Sequence, residues 1–324
     1  MSTLCESWLS VTSARRLYLV HVGLAAVALA AVFVGAAVAL SKIELGVPSA
    51  GALLAACRGI IPAEPGLGVL VLGLGSLGLG VLVLAARSLA RQLHQQRRFM
   101  RRLARANVIE IRGRELVLVE SAIPQAFCAG FLRPRIYLST AAFDRLSETE
   151  LHAVVAHEAH HQRSYDPLRI ILATVAAEAL FFLPALRRLS KRYRELAELG
   201  ADEAARKTEG APALASALLA FGERGRGTAP VVGIAAERVD HLLGGQPRWQ
   251  LPLSMFTGSL IILFALLAFV LTTAPGLIAS DGVSVASLLA EACMIGMLAV
   301  PLVVGGWLLL FWQRRQFHHP SAQA

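Results

Sequence analysis

The sequence predicts a multi-pass α-helical membrane protein that carries a cytoplasmic α+β domain, mostly helical with a small sheet ahead of its helices. Three observations carry this reading. The 324 residues are 56% hydrophobic and only 16% charged, with a mean hydropathy of +0.59, too apolar for an ordinary soluble domain. Four apolar runs, residues 17–40, 67–86, 253–274 and 292–312, are long enough at about 1.5 Å per residue to cross a hydrocarbon layer of about 30 Å. Arginine is concentrated on one side of those runs.

The first run is too long and too late in the chain for a cleaved signal peptide. Arg15 and Arg16 precede it; Arg87, Arg91, Arg97, Arg98, Arg101, Arg102 and Arg105 follow the second run; Arg314 and Arg315 follow the fourth. The two remaining loops are nearly neutral, with Lys42 and Arg58 balanced by Glu44 and Glu64 in one and only Asp281 in the other. Both termini and the long middle region are therefore expected to face the cytoplasm. The expected division is a membrane hairpin at 1–86, a cytoplasmic domain at 87–252, and a second hairpin with a short tail at 253–324. Gly73, Ser76 and Gly80 share a face of the second run and should let another span approach closely. Glu291, at the edge of the last run, should reach the outer interface.

The net charge of +9 is mostly flanking arginine, so the anionic inner leaflet is the expected partner of the flank at residues 87–105. That stretch lacks the regularly interleaved aromatics of a single-strand binder, and no direct nucleic-acid partner is expected. Cys5, Cys57, Cys128 and Cys293 fall in four different places with no C-x-x-C spacing, so no disulfide is expected, and Cys128 reads as a small apolar strand residue. Arginine outnumbers lysine and alanine is abundant, a composition that fits a bacterium with a GC-rich genome and hence a bacterial cytoplasmic membrane.

Inside the middle region, residues 108–111, 115–120, 126–128 and 135–139 are short β-prone runs cut by Gly113, Pro124, Gly130 and Pro134. Ser147 followed by Glu150 is a capping box that starts a helix running to about Arg163, where Asp166-Pro167 ends it or opens the next. Further helices are expected over 191–206, 211–222 and 234–243, with a loop at 222–233. The apolar run 168–183 reads as a buried core helix, or one that dips into the membrane and returns. An odd crossing there would break the arginine pattern. Glu178 within it is a neutral or hydrogen-bonded core carboxyl or part of a substrate pocket.

The motif helix carries His157-Glu158-Ala159-His160-His161, an H-E-x-x-H pattern. Residues at i and i+4 share a helix face, so His157 and His161 can each place a ring nitrogen about 2.0 to 2.1 Å from one zinc ion. Glu158 lies one step round, where a general base belongs. A zinc held there would bring the pKa of a water near neutrality and polarise a scissile carbonyl, and Glu158 would take the proton and pass it to the leaving amine. His160 reads as a neighbour of the site rather than a fourth ligand. A third protein ligand must come from elsewhere, and Glu195, Glu198, Asp202 and Glu203 are the acidic candidates downstream. Glu195, Glu198 and Asp202 recur at helical spacing on one face, which narrows the choice without making it; a solvated face paired with Lys191 and Arg194 remains the alternative.

The run from Glu150 through His161, then Asp166-Pro167-Leu168, then Glu198-Leu199-Gly200-Ala201-Asp202-Glu203, resembles the BlaR/MecR-type antirepressor metallopeptidase family. The upstream run Ala126-Phe127-Cys128-Ala129-Gly130, continuing through Arg133 to Ser139, is similar to the same family. More distantly the chain looks like the HtpX and CAAX-protease membrane gluzincins. The resemblance covers residues 116–243 and implies a gluzincin-type zinc metallopeptidase domain with one Zn2+ per chain. It implies Glu198 as the third zinc ligand, beside His157 and His161, and Asp202 as the residue that supports a ligand histidine. Asp166 is either a second such support or the N-cap of the following helix. In gluzincins a sheet edge pairs with an extended peptide, and Ala126, Phe127, Cys128, Ala129 and Gly130 form the candidate edge.

What the resemblance implies for function is a membrane-embedded zinc endopeptidase that cuts a cytosolic or juxtamembrane protein, with a BlaI/MecI-type repressor as the expected substrate. A quality-control protease of the HtpX kind, or a non-enzymatic sensor retaining the fold, are the alternatives. Self-association into a homodimer is compatible with this reading. The β-lactam-sensing relatives continue past their last span into an extracellular penicillin-binding domain, whereas this chain ends about a dozen residues after Trp312. The expectation is therefore a protein without that sensor, receiving its signal through its spans, its short outer loops or a separate partner.

Overall fold

The computed structural model describes residues 3–44, 46, 49, 51, 67–102, 106–222, 238, 253–280, 282–295, 297 and 299. Three helices are long and apolar enough to cross a membrane: Ala14–Ser41, Leu67–Arg101 and Ser254–Ala279. They lie within α1 (Thr3–Leu40), α2 (Leu67–Arg102) and α8 (Leu253–Ala279) and coincide with the first three runs predicted above. Most of the fourth run, 292–312, falls outside the described residues, as do the loop beyond Gly222 and, apart from Arg238, the helix at 234–243. The chain divides into two compact units, one of Met1–Leu29 with Val81–Phe264 and the other of Ala30–Gly80 with Ala265–Ala324.

The first unit is built on a four-stranded sheet, β2 (Ala106–Ile111), β3 (Arg114–Val119), β4 (Ala126–Ala129) and β5 (Arg135–Ser139), in the order β2-β3-β5-β4. β2 and β3 form a hairpin closed by Arg112 and Gly113, both at positive φ, the backbone that a two-residue turn needs to match strand twist. β3 and β5 run parallel, and β4 returns antiparallel on the far side of β5, which leaves β4 at an edge. The side-chain period of two sorts the sheet into two faces. Leu116, Ile136 and Leu138 pack against Leu151, Val154, Val155 and Ala159 of the motif helix. Val117, Val119 and Tyr137 point the other way, covered by Met100 of α2 together with Phe127 and Ala129. Phe127 stacks on Tyr137 at 5.2 Å and meets Phe99 of α2 edge-on at 5.1 Å.

After β5 come α3 (Thr140–Arg145), α4 (Glu148–Ser164), α5 (Asp166–Ala179), α6 (Pro184–Glu209) and α7 (Ala211–Gly222). Ser147 caps α4 in a complete capping box with Glu150. That helix ends at Tyr165, whose left-handed φ of 53° turns the chain so that Asp166-Pro167 can open α5. Pro184 opens α6, which starts earlier than the sequence pattern marked, because Leu186, Leu189, Tyr193, Leu196 and Gly200 continue its buried stripe by whole turns. The 168–183 run is the 14-residue α5 and the turn after it, shorter than the roughly 20 residues a crossing requires. Ala173, Ala177, Leu180 and Leu183 are buried while Leu172 and Phe181 are exposed. Glu178 is hydrogen-bonded, as one expected reading had it, but not in the core: it is partly exposed and ion-pairs with Arg91 of α2, which reaches it from the helix extension beyond the second run.

In the second unit a short parallel pairing of β1 (Ile43–Glu44) with β6 (Val283–Ser284) joins the loops that follow α1 and α8. The Lys42 ammonium caps the end of α8 by donating to the Ile278 and Ser280 carbonyls at 2.8 and 3.1 Å. Ala39, Val71, Leu74, Val270, Leu277, Val283 and Leu288 form its core. Among the described residues the close approach is not at Gly73 or Gly80, where nothing lies within 4 Å of an added Cβ, nor at Ser76, whose hydroxyl donates back to the Gly73 carbonyl at 3.0 Å. It is made by Gly78, where a Cβ would lie 2.5 Å from that of Ala36. Glu291, in the apolar helix α9 (Val285–Ile295), does not reach an interface. It is 3% exposed, its carboxyl packed over Gly68 with Oε2 unpaired, because only a residue without a side chain leaves room there.

Candidate metal centre

Two helices build this site. On α4, His157 and His161 lie one turn apart and aim their Nε2 atoms at a common point, 3.2 Å from each other. On α6, Glu198 places Oε2 3.6 Å from His157 Nε2 and Oε1 3.7 Å from His161 Nε2. Bonds of about 2.0 to 2.1 Å directed to tetrahedral corners would separate neighbouring donors by about 3.3 Å. The three side chains thus already frame one face of a zinc-sized tetrahedron, and among the described residues they form the one such cluster of potential ligands. Of the four acidic candidates, Glu198 is the one that converges on the histidines. Glu195 pairs with Arg192 and Lys191, and Glu203 with Arg206 and Lys207.

Behind the ligands stands a second set of groups. Asp166 Oδ2 sits 2.8 Å from His161 Nδ1, and its Oδ1 accepts from the Tyr193 hydroxyl at 2.6 Å. Asp166 is therefore the partner of a candidate ligand and not an N-cap; the cap position of α5 belongs to Tyr165, which makes no side-chain capping bond. Such a partner fixes the tautomer that leaves Nε2 free for a metal. Asp202 lies 3.1 Å from His157 Nδ1, misaligned for a straight hydrogen bond, so the contact is chiefly electrostatic. Asp202 is fully buried and is gripped by Arg238, whose Nε and Nη2 donate to its two oxygens at 2.7 and 2.6 Å. The remaining nitrogen of the guanidinium, Nη1, reaches to 3.4 Å from Glu198 Oε2, so one arginine braces two carboxylates a turn apart on α6.

Sequence reasoning missed both Arg238 and Tyr193. Tyr193 had a faint signal, a polar-tipped ring inside an apolar helical stripe. For Arg238 the available signal was arithmetic: four carboxylates, Glu158, Asp166, Glu198 and Asp202, gathered in one place, three of them buried, call for a cation.

Electrostatics follow from this crowding. Burial opposes the charge on His157, but Asp202, Glu198 and Glu158 outweigh it and hold its pKa up at about 10. Burial likewise opposes the charge on Glu198, and the two histidines and Arg238 overcome it, to about 2. His160 is different: burial pulls it down to about 4, and its neutral ring packs over Gly200, where a Cβ would come within 3.1 Å of Nε2. It neighbours the site and does not enter the ligand cluster.

Glu158 is buried beside His157 on α4, and its charge is felt by His157, Arg238 and Cys128. Cys128 belongs to β4, which packs on α4, so the edge strand runs alongside the site. Burial, with Glu158 and Asp166 nearby, pushes its thiol up to about 12, so it is a protonated, weakly reactive thiol. Of the run Ala126, Phe127, Cys128, Ala129 and Gly130, the first four form β4, which among the described residues pairs on one side only, with β5. Gly130 ends the strand at φ +110°, where a Cβ would strike the Arg133 carbonyl oxygen at 2.5 Å.

In comparisons with known proteins, the profile of the family described as BlaR1 peptidase M56 matches residues 67–232, a stretch that includes the sheet, both site helices and the second apolar run. No curated protein and no solved structure matches the chain.

Proposed function

We propose, from the premise that this chain belongs to the BlaR1 peptidase M56 family, that it is a membrane-embedded zinc endopeptidase working at the cytoplasmic face. The observation that carries the reading is the convergence of His157, His161 and Glu198 beside Glu158 and an edge strand. The two imidazoles and the carboxylate would hold the ion. Zinc bound there would supply Lewis acidity, lowering the pKa of a water and polarising a peptide carbonyl.

The chain's own residues do the rest. Glu158, buried beside His157, takes the proton of the attacking water and delivers it to the departing amine. Asp166 and Asp202 keep the imidazoles oriented, and Arg238 keeps Asp202 and Glu198 charged and in place. The free edge of β4 pairs with an extended substrate backbone and sets its depth against the site. The Glu198 side chain is 38% exposed, which marks the side from which substrate enters.

The substrate proposed is a cytosolic or juxtamembrane protein, a repressor of the BlaI/MecI type above others, cut in response to a membrane signal. The arginines on the extension of α2, Arg87 to Arg102, would seat that helix against anionic headgroups. Metal analysis and a peptide-cleavage assay on the purified full-length protein test the core of the reading. Glu158→Gln should keep one zinc per chain and lose about 10²-fold or more in cleavage rate, whereas His157→Ala should lose both metal and activity. Cleavage at the wild-type rate by Glu158→Gln, or a wild-type protein without affinity for zinc, would overturn it.

A further inference from the structure

The first membrane helix touches the metal centre through one side chain that the reading above leaves unused. Tyr193 is 1% exposed, an unusual depth for a phenol, and its hydroxyl donates to Asp166 at 2.6 Å while Asp166 holds His161 Nδ1 at 2.8 Å. Burial beside that carboxylate pushes the phenol above its ordinary range, so it remains a donor. On its other side the Tyr193 ring packs against Tyr18 of α1, with centroids 5.2 Å apart and planes tilted by 42°. The Arg169 guanidinium of α5 lies over the Tyr18 ring at 5.5 Å, three residues beyond Asp166. Leu17 and His21, flanking Tyr18 on the same helix, are each 1% exposed, so this end of α1 is packed into the first unit and not merely laid along it.

We propose that Tyr193 is a positioning residue that ties the ligand His161 to the seating of the first membrane helix. The route is short: Tyr18 against Tyr193, Tyr193 to Asp166, Asp166 to His161. Each link fixes the next in a defined way. The ring contact sets where the phenol hydroxyl lies, the hydroxyl occupies one carboxylate oxygen and so orients the other, and that second oxygen selects the tautomer and tilt of His161. A shift of α1 at Tyr18 would withdraw the hydroxyl and free Asp166 to rotate. The affinity of the site for its ion is thereby a readout of how α1 is held.

This rests on the zinc-peptidase reading, and the test separates the two. Zinc affinity of the metal-free full-length protein in detergent, measured by competition with a chromophoric chelator, is compared for wild type, Tyr193→Phe, Tyr18→Leu and the double variant. Tyr193→Phe keeps the buried ring and should bind zinc about tenfold more weakly. Tyr18→Leu keeps the apolar contact with Tyr193 but loses the ring and its Arg169 contact; it should weaken binding about threefold. In the double variant Tyr18→Leu should add nothing, because the hydroxyl through which it acts is gone. Thermal unfolding of the metal-free variants shows that each is folded. Wild-type affinity in a folded Tyr193→Phe, or independent and additive losses in the double variant, would overturn the proposal. A wild-type protein that takes no zinc would overturn the metal reading instead.

Discussion

Replacing Arg238 with methionine keeps most of the aliphatic stem and removes the charge, leaving Asp202 as a carboxylate with no exposed surface and, among the described residues, only the misaligned His157 as partner. Breaking a buried, bidentate pair from one side costs about 3–5 kcal/mol, because the surviving charge keeps its desolvation penalty and loses its counterion. At about 2–4 °C per kcal/mol for a folding unit of this size, the midpoint of thermal unfolding should fall by roughly 6–20 °C. The double variant Asp202→Asn with Arg238→Met removes both charges and should recover at least half of the loss. Acid supplies an independent check. Burial alone would raise the Asp202 pKa, but His157 and Arg238 overcome it and hold it at about 2, against an ordinary value of 3.8. A depressed carboxylate contributes stability that is complete above its unfolded pKa and is lost as pH falls through its folded one. The gap between wild type and Arg238→Met should therefore be widest above about pH 4 and close as pH falls toward 2. Circular dichroism of the metal-free, detergent-solubilised protein at a series of pH values reads both effects. A midpoint within about 2 °C of wild type at pH 7, or a double variant no more stable than Arg238→Met alone, would refute the reasoning.

Two further outcomes are expected. In the metal-free protein His157 is held up at about 10, so between pH 6 and 8 it must release its proton before an ion can bind, while Glu198, held at about 2, is already charged. The apparent zinc affinity should accordingly rise about tenfold per pH unit across that range, with close to one proton released per ion in calorimetry; a flat profile would contradict the raised imidazole. Gly130→Ala forces a side chain into a positive-φ position and against the Arg133 carbonyl oxygen, which should cost about 1–3 kcal/mol in thermal unfolding and raise the KM for peptide more than it changes zinc affinity.

Local chemistry made much of this protein legible from its residues. The capping box of Ser147 and Glu150 marked the start of the motif helix, short β-prone runs cut by glycine and proline marked all four strands of the larger sheet, and i, i+4 spacing put both histidines on one face. Periodicity could not choose among Glu195, Glu198 and Asp202, since a repeat says which residues share a face but not what that face meets; here the family resemblance singled out Glu198. The glycines of the second span show the same limit. Among the described residues Gly73 and Gly80 share a face with nothing close beside it, while Gly78 admits a neighbour, a choice made by where Ala36 happens to lie. Arg238 was hidden for a related reason, since its partner stands 36 residues away and only the fold brings them together. Glu178 shows how far an apolar neighbourhood can mislead: its partner Arg91 lies 87 residues upstream, on a helix that continues a full four turns past the last residue of its apolar run.

That same continuation governs how the catalytic part can be handled. Phe99 and Met100 pack on the side of the sheet that carries Val117, Val119, Phe127 and Tyr137. A soluble fragment begun at Ala106 would present those four side chains to water and invite aggregation through them. The second apolar helix thus ends as part of the sheet's own packing and not as a leash, and cutting the chain between them opens that packing.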